Sequence, residues 1–136
     1  MQEERFKELE HTADIAILVR GETLAELFAN AAYGMACQLT DVEGVPTSME
    51  REIALHADDV EMLLVDWLSE LLFLGEKENA VFHDFEMQHV GVKELRAVAR
   101  GGRIKEHQAH IKAVTFSQMD LRQTGGVYET PIVFDV

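Results

Sequence analysis

The chain has 136 residues, 47% of them hydrophobic and 27% charged, with one cysteine and a formal net charge of −13. That length suits one compact domain over residues 1–136 with no need of disulfides, and no run approaches the ~20 apolar residues of a membrane span. So strong a negative charge repels a phosphate backbone, which argues against direct RNA or DNA binding and favours a basic partner surface or a cation.

The polar, acidic start Met1–Arg5 reads as neither a signal nor a transit peptide, and a cytoplasmic protein is expected. A first strand is predicted over Ile15 to Arg20. A helix then begins at Thr23, where Thr23 and Glu26 have capping-box spacing, and Leu24, Leu27, Phe28, Ala31, Met35 and Leu39 form one apolar stripe. Cys37 falls within this run and reads as a buried thiol. Gly44 and Pro46 mark a loop over Asp41 to Ser48, and Glu52 to Ala57 follows as a strand.

A second helix is signalled by Asp58 with Glu61 three residues on, carries Val60, Leu63, Leu64, Trp67, Leu68, Leu71 and Leu74 on one face, and is expected to stop at Gly75. Met62 and Phe73 lie on the opposite side of that wheel. Burial deep in the fold is the expectation for both, with a small outward apolar spot as the alternative. Further strands are predicted over Val81 to Val90, Leu95 to Arg100, Ile111 to Arg122 and Val127 to Val136. In the first of these Val81, Phe85 and Met87 share a face, with Asp84, Glu86 and Gln88 on the other. Gly101-Gly102 and Gly125-Gly126 suggest hairpin turns and hence an antiparallel meander. The expected class is α+β: two helices packed on a mostly antiparallel sheet, a single-domain sandwich.

Familiar catalytic signatures are missing: there is no phosphate-binding glycine loop, no Gly-x-Ser-x-Gly elbow and no Cys-x-x-Cys pair. Of the six histidines only His107 and His110 are closely spaced, and without a cysteine or acidic partner they read as surface residues rather than a zinc site. Nothing in the spacing around Ser117 supports a catalytic triad. The informative segment is Glu10-His11-Thr12-Ala13-Asp14, a polar interruption immediately before an apolar strand. Taken alone it is a turn in which Asp14 caps the backbone, and Asp135 is a solubilising end residue.

Three segments change that reading: His11-Thr12-Ala13-Asp14, Lys112-Ala113-Val114-Thr115-Phe116 and Val133-Phe134-Asp135-Val136. In this order, together with the Asp58-Asp59 pair and the Phe-x-Asp-Phe run at 82–85, they resemble the archease family over nearly the whole chain. The resemblance implies a fold with a strand-helix-strand-strand module and a non-catalytic protein that activates the GTP-dependent RNA ligase of tRNA splicing. Such proteins help the ligase to become guanylylated and to turn over repeatedly. A chaperone-like modulator of a tRNA methyltransferase is the alternative partner role, and a small metal-dependent hydrolase built on Asp14 and His11 is a third reading.

Carried over by motif, the metal site would comprise Asp14, Asp135 and the terminal carboxylate of Val136. His11 and Thr12 would orient Asp14, and Lys112 would matter for activation. Such all-oxygen donors suit a hard divalent cation, with Ca2+ expected and Mg2+ or Mn2+ as alternatives. Two departures from the family pattern stand out. The loop before Lys112 is short and has His110 where a glutamate is usual, and Phe116 replaces the usual tyrosine.

Overall fold

A computed structural model describes residues 5–9, 14–106 and 109–136. In chain order its elements are β1 (Phe6–Leu9), β2 (Ile15–Gly21), α1 (Leu24–Leu39), β3 (Met49–His56), α2 (Val60–Glu78), β4 (Ala80–Val90), β5 (Glu94–Arg103), β6 (Ala113–Thr115), β7 (Arg122–Thr124) and β8 (Val127–Asp135). The two-helix, antiparallel α+β architecture is the one expected. Its strands, however, divide into two sheets. One runs β1-β2-β8-β6, with β7 also paired to β8; the other runs β3-β5-β4. Both helices touch both sheets, α1 through β2 and β4, α2 through β6 and the three strands of the smaller sheet.

Helix α1 begins where the sequence requires. The Thr23 hydroxyl accepts from the Glu26 amide at 3.0 Å, which satisfies an orphan donor of the first turn, while the Glu26 carboxylate accepts from the Glu22 amide just before the cap at 3.2 Å. Helix α2 corrects the expected boundaries at both ends. Asp59 rather than Asp58 caps it, accepting from the Met62 amide at 2.8 Å. At the other end Gly75 does not stop the helix: Asn79 does, in the left-handed conformation at φ 52°, donating its N–H to the Gly75 carbonyl. Gly75 serves a different purpose, since a Cβ there would lie 2.7 Å from the Ala80 carbonyl oxygen as the chain turns back into β4.

Gly101 and Gly102 likewise form no turn. Both lie within β5, where a Cβ on Gly101 would come within 2.0 Å of the Val81 carbonyl oxygen, and one on Gly102 within 2.6 Å of the Pro46 carbonyl oxygen. They are glycines of close approach. The expected turn at Gly125-Gly126 is present, with φ of 59° and 81°, and joins β7 to β8. The single strand expected over Ile111 to Arg122 is broken into β6 and β7 by a bend at Phe116–Met119, in which Gln118 takes φ 61°. Strand β1 was not foreseen.

One core joins all layers. Ile17, Val19, Ile132 and Phe134 from the larger sheet meet Leu27, Phe28 and Ala31 of α1, Leu63, Leu64, Trp67 and Leu68 of α2, and Ile53, Leu95 and Ala99 of the smaller sheet. Each such large side chain contributes on the order of 1.5–3 kcal/mol by leaving water. Trp67 is fully buried, packs edge-on to Phe85 with centroids 5.7 Å apart, and donates its indole N–H to the Phe28 carbonyl at 3.0 Å, which links the two helices. Cys37 is half-buried, and burial pushes its thiol pKa up, away from the reactive thiolate. Across the outer face of the smaller sheet Arg100 of β5 donates to Glu50 of β3 and Glu86 of β4, at 3.3 and 3.0 Å. Among the described residues no helix is long and apolar enough to cross a membrane.

Candidate metal centre

The candidate centre lies where one end of the larger sheet gathers three strand ends. Strand β2 begins with Ile15 opposite Phe134, and the antiparallel register continued by one step sets Asp14 opposite Asp135. On the other flank of β8, Ala113 pairs with Asp135, and the Lys112 amide donates to the Asp135 carbonyl at 2.7 Å. The backbone of Asp135 is therefore bonded to Lys112-Ala113 on one side, and on the other it lies one step beyond the Ile15–Phe134 pair, beside the bend at Asp14.

Local sequence explains this convergence. Phe134 and Ile132 are fully buried and belong to the core, so alternation turns Asp135 to the opposite, outer face. Directly opposed residues of neighbouring antiparallel strands project to the same face, with Cβ atoms about 5 Å apart, so the β2–β8 register carried one residue further would set Asp14 beside Asp135. Asp135 is exposed and Asp14 partly so. Farther back, the Thr115 hydroxyl donates to the Val133 carbonyl at 3.0 Å and fastens β6 to β8.

The structure thus brings Asp14, Asp135, Lys112 and Val136 to one place. His11 and Thr12 lie outside the described residues, as does His107, while His110 is exposed. Among the described residues no three His, Cys, Asp or Glu side chains gather to hold a metal. Among the described residues Asp14 and Asp135 account for two such side chains, and the terminal carboxylate of Val136 would be a third oxygen donor there. Two carboxylates and an α-carboxylate would form a hard, all-oxygen donor set, and the cation would offset their mutual repulsion.

A neighbouring feature was not foreseen. Beside Lys112 a cleft of about 200 Å³ opens between β6 and α2, lined by Ser69, Leu72, Phe73, Glu76, Lys112, Ala113 and Val114. Phe73 is 58% exposed and Met62 36%, which overturns the expected burial of both. The buried face of α2 already holds Leu63, Leu64, Trp67, Leu68, Leu71 and Leu72 between the sheets, so residues on the opposite side of the wheel face solvent. Their position on that wheel was the available signal.

Comparison with known proteins follows the same pattern. The family described as "Archease protein family (MTH1598/TM1083)" matches residues 6–136. A "Protein archease" of Methanosarcina mazei is 41% identical over 99% of this chain and 98% of its own, and one of Methanothermobacter thermautotrophicus 33% identical over 96% and 98%. Among solved structures, the solution structure of Methanobacterium thermoautotrophicum protein 1598 superposes with a TM-score of 0.82 at 30% identity, covering 98% of this chain and 100% of that one. A Thermotoga maritima crystal structure, described as an archease and possible chaperone, gives 0.70 at 25% identity, covering 96% of each. Matched along residues 6–136 and by full-length relatives, the chain belongs to the archease family.

Proposed function

We propose that this chain is a non-catalytic accessory protein that holds a divalent cation, Ca2+ by preference, through Asp14, Asp135 and the α-carboxylate of Val136, and that it activates a GTP-dependent tRNA-splicing RNA ligase. The observation that carries this reading is the β2–β8 register, which ends at Ile15–Phe134 one residue short of Asp14 and Asp135, together with the bond from the Lys112 amide to Asp135. Family membership supports it, as does the net charge of −13, which suits a protein working on a basic enzyme surface rather than on RNA itself. Bound there, the cation would neutralise the carboxylates and could be presented to the ligase. Lys112, exposed at the same end, supplies a compact positive charge for a phosphate or an acidic partner group.

The test incubates the cognate RNA ligase with GTP and magnesium or manganese, adding the wild-type chain, Asp14→Ala or Asp135→Ala. Wild type should raise ligase guanylylation and both variants should not. Equal guanylylation with all three, or without any of them, removes the proposal. Appending residues after Val136 should weaken the cation in calorimetry, and unchanged affinity excludes the α-carboxylate as a donor.

A second reading, a chaperone-like modulator of a tRNA methyltransferase or another RNA-processing enzyme, is favoured by outward-facing Phe73 and Met62 and by the description of the Thermotoga maritima protein. Aggregation suppressed as well by the aspartate variants as by wild type, and lost on Phe73→Ser, would support it.

A further inference from the structure

We infer that the free edge of β3, together with the flank of α2, is a strand-addition site for an extended, basic segment of a partner protein. This site is built on the smaller sheet, whereas the candidate metal centre lies at one end of the larger.

Four observations converge on it. First, β3 pairs only with β5, so its outer edge has no strand partner among the described residues. Second, that edge is unusually open. Its eight residue pairs with β5 run without a bulge, and no proline interrupts it. The other edges are blunted: β1 has four residues, β6 and β7 three each, and the pairing of β4 is broken by two irregularities. An unblunted edge presents a row of main-chain donors and acceptors that templates another strand.

Third, a groove follows this edge. Five consecutive residues of β3, 51–55, line a cavity of about 230 Å³ with Glu70 and Leu74 of α2, and an adjoining cavity of about 270 Å³ extends it from Leu55 and Glu70 to Asp66 and Phe73. A trough between an edge strand and a helix is the setting in which domains bind peptides by β-augmentation: main-chain bonds supply affinity and alternate side chains enter the trough. Here Leu55, Leu74 and Phe73 offer it apolar contacts.

Fourth, the charge selects the occupant. Asp66 and Glu70 line the trough from α2, Glu52 flanks it from the outer face of β3, and none of the three has a hydrogen-bond or ion-pair partner among the described residues. The one cation there, Arg51, is committed to Glu78. A segment alternating apolar and basic residues satisfies both the trough and its rim. A second copy of this chain would instead bring two sets of these carboxylates together on bodies each of net charge −13.

The experiment titrates isotope-labelled protein with a capped peptide of alternating valine and lysine matched to β3 in length. Its controls are the same peptide with a central proline, which deletes a main-chain donor, and a valine–glutamate peptide. Saturable amide shifts over residues 50–56, and slowed exchange of the outward amides, are expected for the lysine peptide and for neither control. Combining Asp66→Lys with Glu70→Lys should weaken that peptide by about ten-fold or more and create binding of the glutamate peptide. Equal binding of the proline peptide would reduce the interaction to charge adhesion and overturn strand addition. Shifts confined to α2 and β6, no saturable binding, or concentration-dependent self-association perturbing the β3 amides without peptide would each overturn it too.

Discussion

Replacing Asp135 with asparagine should stabilise the metal-free protein while abolishing its response to metal. Asp14 and Asp135 occupy opposed positions when the Ile15–Phe134 register is continued by one step. Two like charges about 5 Å apart in a water-facing setting repel by roughly 1 kcal/mol. Removing one of them therefore gains about 1 kcal/mol, or roughly 4 °C in Tm for a chain of this size. With cation present the order reverses. A cation at about 100-fold above its Kd stabilises the wild type by about 2.7 kcal/mol, roughly 10 °C, and the variant by little. Thermal melts followed by circular dichroism, in chelator and then in calcium, magnesium or manganese, measure both effects. A variant that melts below wild type in chelator, or that keeps the wild-type metal shift, would refute the opposition of these carboxylates.

Other perturbations test the fold and its electrostatics. Gly101→Ala should destabilise by about 3 kcal/mol in urea unfolding, because its Cβ would meet the Val81 carbonyl oxygen at 2.0 Å with only backbone to yield. Trp67→Phe should cost about 2 kcal/mol, since it opens space beside Phe85 and removes the indole bond to the Phe28 carbonyl, which keeps only its helical donor. The hydrogen bonds from Arg51, and secondarily its charge, hold the Glu78 carboxyl below its ordinary pKa. A depressed folded-state pKa adds stability that is complete above the unfolded value of about 4.3 and fades as pH falls through the lower folded one. Arg51→Met should therefore lower the denaturation midpoint at neutral pH, and the gap from wild type should close once Glu78 is protonated. Cys37 should react slowly with a thiol-specific disulfide reagent at neutral pH, at a rate that climbs into the alkaline range, because burial raises its pKa.

The parts of the fold that were legible are those governed by short-range chemistry. Thr23 and Glu26 cap α1 because their spacing lets the Thr23 hydroxyl meet the Glu26 amide and the Glu26 carboxylate reach back to the Glu22 amide, and Gly125-Gly126 turn because only positive φ closes that hairpin. The misread positions answer to distant neighbours. Gly75, Gly101 and Gly102 look like punctuation in one dimension, yet each makes room for backbone from another segment. Phe73 looked like core because its helix is apolar on several sides, and only the placement of both sheets decides which side is outermost. Division of the strands between two sheets is invisible for the same reason, since alternation reports which face is buried and not which strand lies alongside. At the candidate site, Asp14 and Asp135 carry no local signal beyond a turn and a tail, and family motifs alone suggested their meeting. Strand order, with β8 between β2 and β6, is what brings them together.

That placement of β8 has a mechanical consequence. A terminal strand at the border of a sheet frays, whereas this one is gripped along both flanks, by β2 over 128–134 and by β6 at its last three residues. The Lys112 amide, locked onto Asp135, should rank with interior amides in hydrogen exchange. Groups mounted there keep a fixed spacing, so whatever docks at this end of the sheet would meet a stylus rather than a tether.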